Sequence, residues 1–218
     1  MFSLTVANSM QPEHIELEAG AWVDRYEQWL CAEDAARLYE LLLGELAWEQ
    51  RHVVLFGKPV LQPRLIAWAG ALPYRYSGQT LPPRPWPASV AGTLGPLLSA
   101  LQALGGTELN HVLVTRYRDG QDGMGYHADA EPELGPDPLV MTLSLGAPRR
   151  FAIKRHKSQT RARVMLLTSG SLLVMGGSCQ HHYRHALLRE PAVTAERVSL
   201  TFRYLLRAPK ATPGEAAG

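Results

Sequence analysis

Hydrophobic residues change their spacing part-way along this chain. In residues 33–47, Ala36, Leu38, Leu41, Leu42 and Leu46 recur near the helical period behind Glu33 and Asp34, a pair suited to the positive start of a helix. A packing helix is predicted there. A second helix is predicted over 88–104, stopping at Gly105-Gly106. Between them lie short β-rich runs at 52–56 and 65–69, then Leu81-Pro-Pro-Arg-Pro-Trp-Pro87, which cannot continue a sheet. From His111 onward the pattern is one of strands punctuated by glycine, predicted at 111–117, 139–145, 149–154, 163–168, 171–175, 182–188 and 197–206. Tight turns such as Ser169-Gly170-Ser171 join them, and no helix is long enough to make parallel crossovers between them. The expected fold is mainly β with flanking helices (α+β), a jelly roll without internal repeats.

Length adds only that 218 residues make one domain with a substantial core and an N-terminal extension. The start, MFSLTVANSMQPEH, lacks the basic and apolar regions of a signal peptide, and no apolar run approaches the roughly 18 to 20 residues of a membrane span. A cytoplasmic monomer with no membrane attachment is expected. Cys31 and Cys179 stand apart, which excludes a disulfide scaffold and a cysteine zinc site. The net charge of +2 hides an asymmetry: residues 1–49 carry ten acidic and two basic residues, net −8, and residues 50–218 carry ten and twenty, net +10. The second part is the one suited to a polyanion.

The chemistry concentrates in that part. His127 and Asp129 are two apart at the end of a strand-like segment, so on extended backbone both face one metal while Ala128 points away. Three candidates for a third ligand lie in Gln180-His-His-Tyr-Arg-His185; with period two His181 and His185 share a face and His182 opposes them, so spacing alone does not choose. Two histidines and a carboxylate occupy one face of an octahedral Fe(II) and leave three positions for a cosubstrate and O2, which points to an oxygenase. Zinc is the competing metal, but the sequence singles out no general base for a hydrolase. Along Arg197-Val-Ser-Leu-Thr-Phe-Arg203, one face carries Arg197, Ser199, Thr201 and Arg203, and the other Val198, Leu200 and Phe202. One face is core, and the other suits a dicarboxylate paired with planar guanidinium groups.

These strings together resemble the AlkB family of Fe(II)/2-oxoglutarate dioxygenases, especially its animal-type DNA-repair members. The resemblance runs from about Leu55 to Arg207 through LFGK (55–58), PYRYSG (73–78), RYRDG (116–120), GYHADAE (125–131), SLGAPRRF (144–151), KRHK (154–157), GSLLVM (170–175), HYRHALL (182–188) and RVSLTFR (197–203). It implies a double-stranded β-helix, with His127, Asp129 and His185 as the catalytic iron ligands. It also implies that Arg197 and Tyr117 grip the distal carboxylate of 2-oxoglutarate and that Arg203 serves the end near the metal, in a cosubstrate pocket completed by Thr115, Ser199 and Thr201. Thr115 and Ser199 stand where the family usually has asparagine, and each loses an amide's second hydrogen.

The resemblance further implies a substrate: DNA, or RNA, carrying an alkylated base such as 1-methyladenine or 3-methylcytosine, with O2 consumed and the methyl group leaving as formaldehyde. Tyr76 would stack on the extruded base opposite His127, with Tyr74 and Ser77 nearby and Glu131 facing the exocyclic amine. Phe56 would be an apolar finger filling the vacated stack, and Arg150, Lys154, Arg155, Lys157, Arg161 and Arg163 a strip along the phosphates. The domain plan is then an acidic extension with a packing helix (1–50), the dioxygenase domain (51–209) with a nucleotide-recognition lid at about 51–87, and a disordered tail (210–218). An RNA or protein demethylase on the same scaffold, and a metal-bound nucleic-acid-binding protein with little turnover, are the alternatives.

Overall fold

The computed structural model describes Leu4, residues 11–55 and residues 58–207. The expected finger, Phe56, and the tail 210–218 lie outside the described residues. Along the first half come β1 (Glu13–Glu16), β2 (Ala21–Tyr26), α1 (Ala32–Glu45), β3 (His52–Leu55), β4 (Lys58–Leu61), β5 (Leu65–Gly70), β6 (Tyr74–Tyr76), β7 (Gln79–Leu81) and α2 (Ala88–Gly105). The second half supplies β8 (His111–Tyr117), β9 (Met124–His127), β10 (Val140–Gly146), β11 (Arg149–Arg155), β12 (Arg163–Leu167), β13 (Leu172–Gly177), the single turn α3 (Cys179–His182), β14 (Tyr183–Leu187) and β15 (Arg197–Arg203).

Seven strands make the major sheet in the order β1-β2-β13-β10-β15-β8-β5, and four make the minor sheet, β12-β11-β14-β9. Neighbouring strands are antiparallel throughout. The inner faces meet through Val23, Val140, Leu173 and Met175 on one side and Phe151, Ile153, Met165 and Leu167 on the other. The outer face of the major sheet buries Leu143, Val198, Leu200 and Phe202 against Leu38 and Leu42 of α1 and Leu94 and Leu97 of α2. Each such side chain contributes roughly 1.5–3 kcal/mol by leaving water. This is the jelly roll expected from the strand pattern, its helices stacked on one side. Gly170 permits the predicted turn: its φ is +82°, and a Cβ there would lie 2.3 Å from the Leu30 carbonyl oxygen.

Three features differ from the reading of the sequence. Residues 13–26, taken within an extension, form β1 and β2 of the major sheet; β2 pairs with β13 from Leu172↔Tyr26 to Gly177↔Ala21. β1 and β2 are a local hairpin, but it joins the sheet at β13, far along the chain, so no local signal marks its place there. The segment at 182–188 is a strand only from Tyr183, because α3 intervenes before it, and period two does not apply to His181 and His182. Finally, α2 is long and apolar enough by length and composition to cross a bilayer. Its Val90, Leu94, Leu97 and Leu101 are buried in the core.

Candidate active site

The pairing of β9 with β14 builds one end of the site. Their register sets His127 opposite His185, with ring centroids 4.3 Å apart, and Phe151 of β11 stacks on His185 at 5.4 Å. Asp129 follows β9 in a loop held by its own N–H, which donates to Oε1 of buried Gln180 at 3.0 Å. One ligand atom from each of His127, Asp129 and His185 lies within 4.8 Å of the others. Nδ1–H of His127 donates to the Gly125 carbonyl at 2.9 Å, which leaves Nε2 free to bind a metal, 3.8 Å from Asp129 Oδ1. Its side chain stays 33% accessible, so the position is reachable from solvent.

The protonation states suit a cation. Burial holds His185 neutral, its pKa lowered to about 3, and lowers that of His127 as well. Burial of Asp129 opposes ionisation, but the Arg203 guanidinium beside it overcomes this and holds its carboxyl down to about 2. Arg203 donates to Asp129 Oδ2 from Nη2 at 3.0 Å and Nε at 3.3 Å. Neutral imidazoles and an ionised carboxylate are the forms that bind metals, so this donor set fits Fe(II). His181 and His182 are not part of it: both are exposed on α3, and His181 lies 3.4 Å from Asp137.

β15 builds the other end. With Val198, Leu200 and Phe202 turned to the helices, Arg197, Ser199, Thr201 and Arg203 line a cavity of about 50 Å³ between the sheets, together with Thr115, Tyr117, His127, Asp129 and His185. The register sets Arg197 opposite Tyr117 and Ser199 opposite Thr115. Arg197 is only 2% exposed. Its Nη2 donates to Ser144 Oγ at 2.9 Å, its guanidinium lies 5.4 Å from the Tyr117 ring, and its Nε has no partner. Burial lowers its pKa to about 10, and no carboxylate among the described residues offsets this. A buried guanidinium with an unused donor is a receptor for a carboxylate.

Of the residues expected to hold a base, Tyr76, Tyr74 and Glu131 lie near the metal ligands, though not as equals. Tyr76 lines the same cavity, and its hydroxyl is fixed by Nε and Nη2 of Arg64 at 3.1 and 2.8 Å. Tyr74, 1% exposed, is a wall residue between His111, at 4.6 Å, and Arg203, at 5.3 Å. Ser77 is exposed in the Ser77-Gly78 turn, with φ of +49° and +79° at its two positions. Glu131 is partly buried; burial, then Asp129, raises its pKa, and its Oε2 has no partner. Of the expected phosphate strip, Arg150 pairs with Glu190, Arg155 with Glu18, and Lys154 lies 4.0 Å above the Tyr126 ring, while Lys157, Arg161 and Arg163 are exposed.

Sequence reasoning missed Arg64 and Arg149. Arg149 is fully buried and donates to the carbonyls of Asp119, Asp122 and Leu188 at 2.9, 2.7 and 2.6 Å, tying two loops to β11. Alternation with Phe151 and Ile153 was the available signal for it. Arg64 carries no periodic signal, since its partner is set by a hairpin folded over it.

The chain is similar to known proteins. The family model described as the 2OG-Fe(II) oxygenase superfamily matches residues 23–203. The chain is 33% identical over 200 residues to alpha-ketoglutarate-dependent dioxygenase alkB homolog 3 of Rattus norvegicus, covering 88% of this chain and 67% of that protein. It belongs to the AlkB family of 2OG-Fe(II) oxygenases. A second AlkB relative, DNA oxidative demethylase ALKBH2 of Homo sapiens, is 37% identical over 176 residues, covering 77% of this chain and 64% of the relative. The solved structure of OsALKBH1 superposes with a TM-score of 0.58 at 19% identity, covering 88% of this chain and 99% of that one, which shows the shared fold. For an AlkB-family dioxygenase the metal is Fe(II) and the cosubstrate 2-oxoglutarate.

Proposed function

We propose that this enzyme repairs DNA by removing alkyl groups from base nitrogens, with 1-methyladenine and 3-methylcytosine as substrates. The observation that carries this reading is the cavity between the sheets, with the His127, Asp129 and His185 donors at one end and the unpaired Arg197 at the other. His127, Asp129 and His185 would hold Fe(II), which with 2-oxoglutarate and O2 supplies the oxidant that hydroxylates an N-alkyl carbon. The balance is one O2 and one 2-oxoglutarate consumed, with succinate and CO2 released and the methyl carbon leaving as formaldehyde.

The chain's own residues set the conditions. Arg197, assisted by Tyr117, Thr115 and Ser199, would bind the distal carboxylate of 2-oxoglutarate through charge-assisted bonds. Arg203 keeps Asp129 ionised by donating from Nε and Nη2 to its Oδ2, leaving Oδ1 3.8 Å from His127 Nε2. Tyr76, held by Arg64, would stack on the base, and the unpartnered Oε2 of Glu131 would accept from the exocyclic amine of a cationic alkylated base. The DNA assignment is further supported by the relative named DNA oxidative demethylase ALKBH2.

Mass spectrometry of methylated oligonucleotides incubated with the protein, Fe(II) and 2-oxoglutarate tests this. Loss of the methyl group from DNA with equivalent succinate is expected. Demethylation confined to RNA would favour the alternative substrate, and no demethylation of either would reject base repair.

A further inference from the structure

Two hairpins stand outside both sheets, and one glutamine joins them. Among the described residues, β3 and β4 pair only with each other, as do β6 and β7. Every residue of β4 is exposed, so Lys58, Val60 and Leu61 hold a cation and two apolar side chains out from the body. The β6–β7 hairpin is anchored differently: Arg64 fixes Tyr76 against the barrel, and a further Arg64 N–H donates to the Gly123 carbonyl at 3.1 Å.

Gln79, the first residue of β7, spans the gap. Its Nε2 donates to the His52 carbonyl, and its Oε1 accepts from Arg51 Nε at 2.8 Å. Arg51 donates onward to Glu49 at 3.1 Å, and the other Glu49 oxygen accepts from Arg84 at 2.7 Å. Both guanidiniums lie over the ring of Trp68 on β5, Arg84 at 3.8 Å and Arg51 at 5.5 Å. A side-chain route therefore runs from the major sheet through Arg51 and Gln79 to the base of the outer hairpin. A primary amide is suited to this place because it offers a donor and an acceptor at the same reach.

We infer that Gln79 is a positioning residue that fixes the β3–β4 hairpin relative to Tyr76, and thereby sets how well the enzyme acts on a base that must be drawn from a duplex. This rests on the proposed function. Drawing a base from a duplex costs a few kcal/mol of unstacking that contacts outside the base pocket must offset, whereas a single strand has no opposing stack. A loosened hairpin therefore lowers duplex turnover and leaves the base pocket as it was.

The test compares Gln79→Ala and Gln79→Glu with the wild type in the full-length, iron-loaded protein. Alanine removes both bonds. Glutamate keeps the acceptor for Arg51 but sets a second acceptor against the His52 carbonyl. Amide hydrogen exchange in β3 and β4, residues 52–55 and 58–61, should accelerate roughly fivefold to tenfold in the alanine variant, and in the same direction in the glutamate variant. Formaldehyde release from an alkylated duplex should fall roughly fivefold, with release from the same lesion in a single strand unchanged. Unaltered exchange, or duplex and single-strand rates falling together, would overturn the inference. If the wild type releases no formaldehyde from either DNA, the proposed repair function has failed, and exchange alone decides whether Gln79 holds the hairpin.

Discussion

β15 carries a buried arginine at each end, and the two are held in opposite ways. Arg203 is 4% exposed and donates twice to Asp129, whose charge, against the effect of burial, raises its pKa. Arg197 is 2% exposed, has only neutral partners and an unused Nε among the described residues, and burial lowers its pKa to about 10. One end of the barrel thus pairs its guanidinium within the protein, and the other leaves its guanidinium without an anionic partner among the described residues. Leaving a charge buried without a partner costs several kcal/mol, a cost removed when an anion arrives. Under the proposed function the metal end is preorganised, and Arg197 would receive the cosubstrate's carboxylate at the other.

Exchanging each arginine for leucine should separate the ends by the largest margin. Arg203→Leu leaves the Asp129 carboxylate buried without its partner and should cost about 3–5 kcal/mol of stability. Arg197→Leu removes an unpaired charge, so the ligand-free protein should be unchanged or stabilised by about 1–4 kcal/mol. Its 2-oxoglutarate requirement should nevertheless rise on the order of 100-fold. Urea unfolding curves and the cosubstrate dependence of succinate formation measure the two effects. Equal destabilisation by both substitutions would remove the contrast.

A pH experiment sharpens the closed end. His111 lies in register with Arg203, has no partner for either ring nitrogen, and is held neutral by burial, its pKa lowered to about 3. In the unfolded chain a histidine titrates near 6.5, so as pH falls from 7 to 5 the unfolded state takes up a proton that the folded state refuses. Stability is present above about pH 6.5 and is lost as pH falls toward 3, by about 2 kcal/mol at pH 5 from this residue. The metal-free His111→Phe variant should lose that much less between pH 7 and 5 than the wild type, measured by urea unfolding. An unchanged pH dependence would mean that His111 protonates freely in the folded protein.

The smallest effect belongs to the open end. Thr115 and Ser199 face each other across β8 and β15 in the cavity between the sheets. Thr115→Asn should lower the half-saturating 2-oxoglutarate concentration by up to roughly fivefold, the worth of one added hydrogen bond of about 1 kcal/mol, or leave it unchanged. A tenfold rise in a steady-state titration would show a pocket shaped around threonine.

How much of this was legible depended on whether a residue's partner is set locally. The alternation of β15 assigned Arg197 and Arg203 to one inner face because period two needs no knowledge of the rest of the fold. The pair His127 and Asp129 was legible for the same reason. His185 could not be told from His181 by spacing, because α3 breaks the extended backbone before Tyr183, near Gln180, whose side chain holds the Asp129 loop. The place of the β1–β2 hairpin in the major sheet was unreadable because β2 meets β13 across most of the chain. Arg64 and Gln79 carry no pattern at all; their roles exist only once two hairpins have folded over the barrel.

The most direct test of the central claim is the change in unfolding free energy when 2-oxoglutarate is added to the metal-loaded wild type and to Arg197→Leu. The wild type should gain about 2.7 kcal/mol at a hundred times its dissociation constant. At that same concentration the variant should gain far less, because the carboxylate no longer meets a guanidinium at the open end of the barrel. An equal gain in both proteins would contradict the claim that Arg197 waits for the cosubstrate.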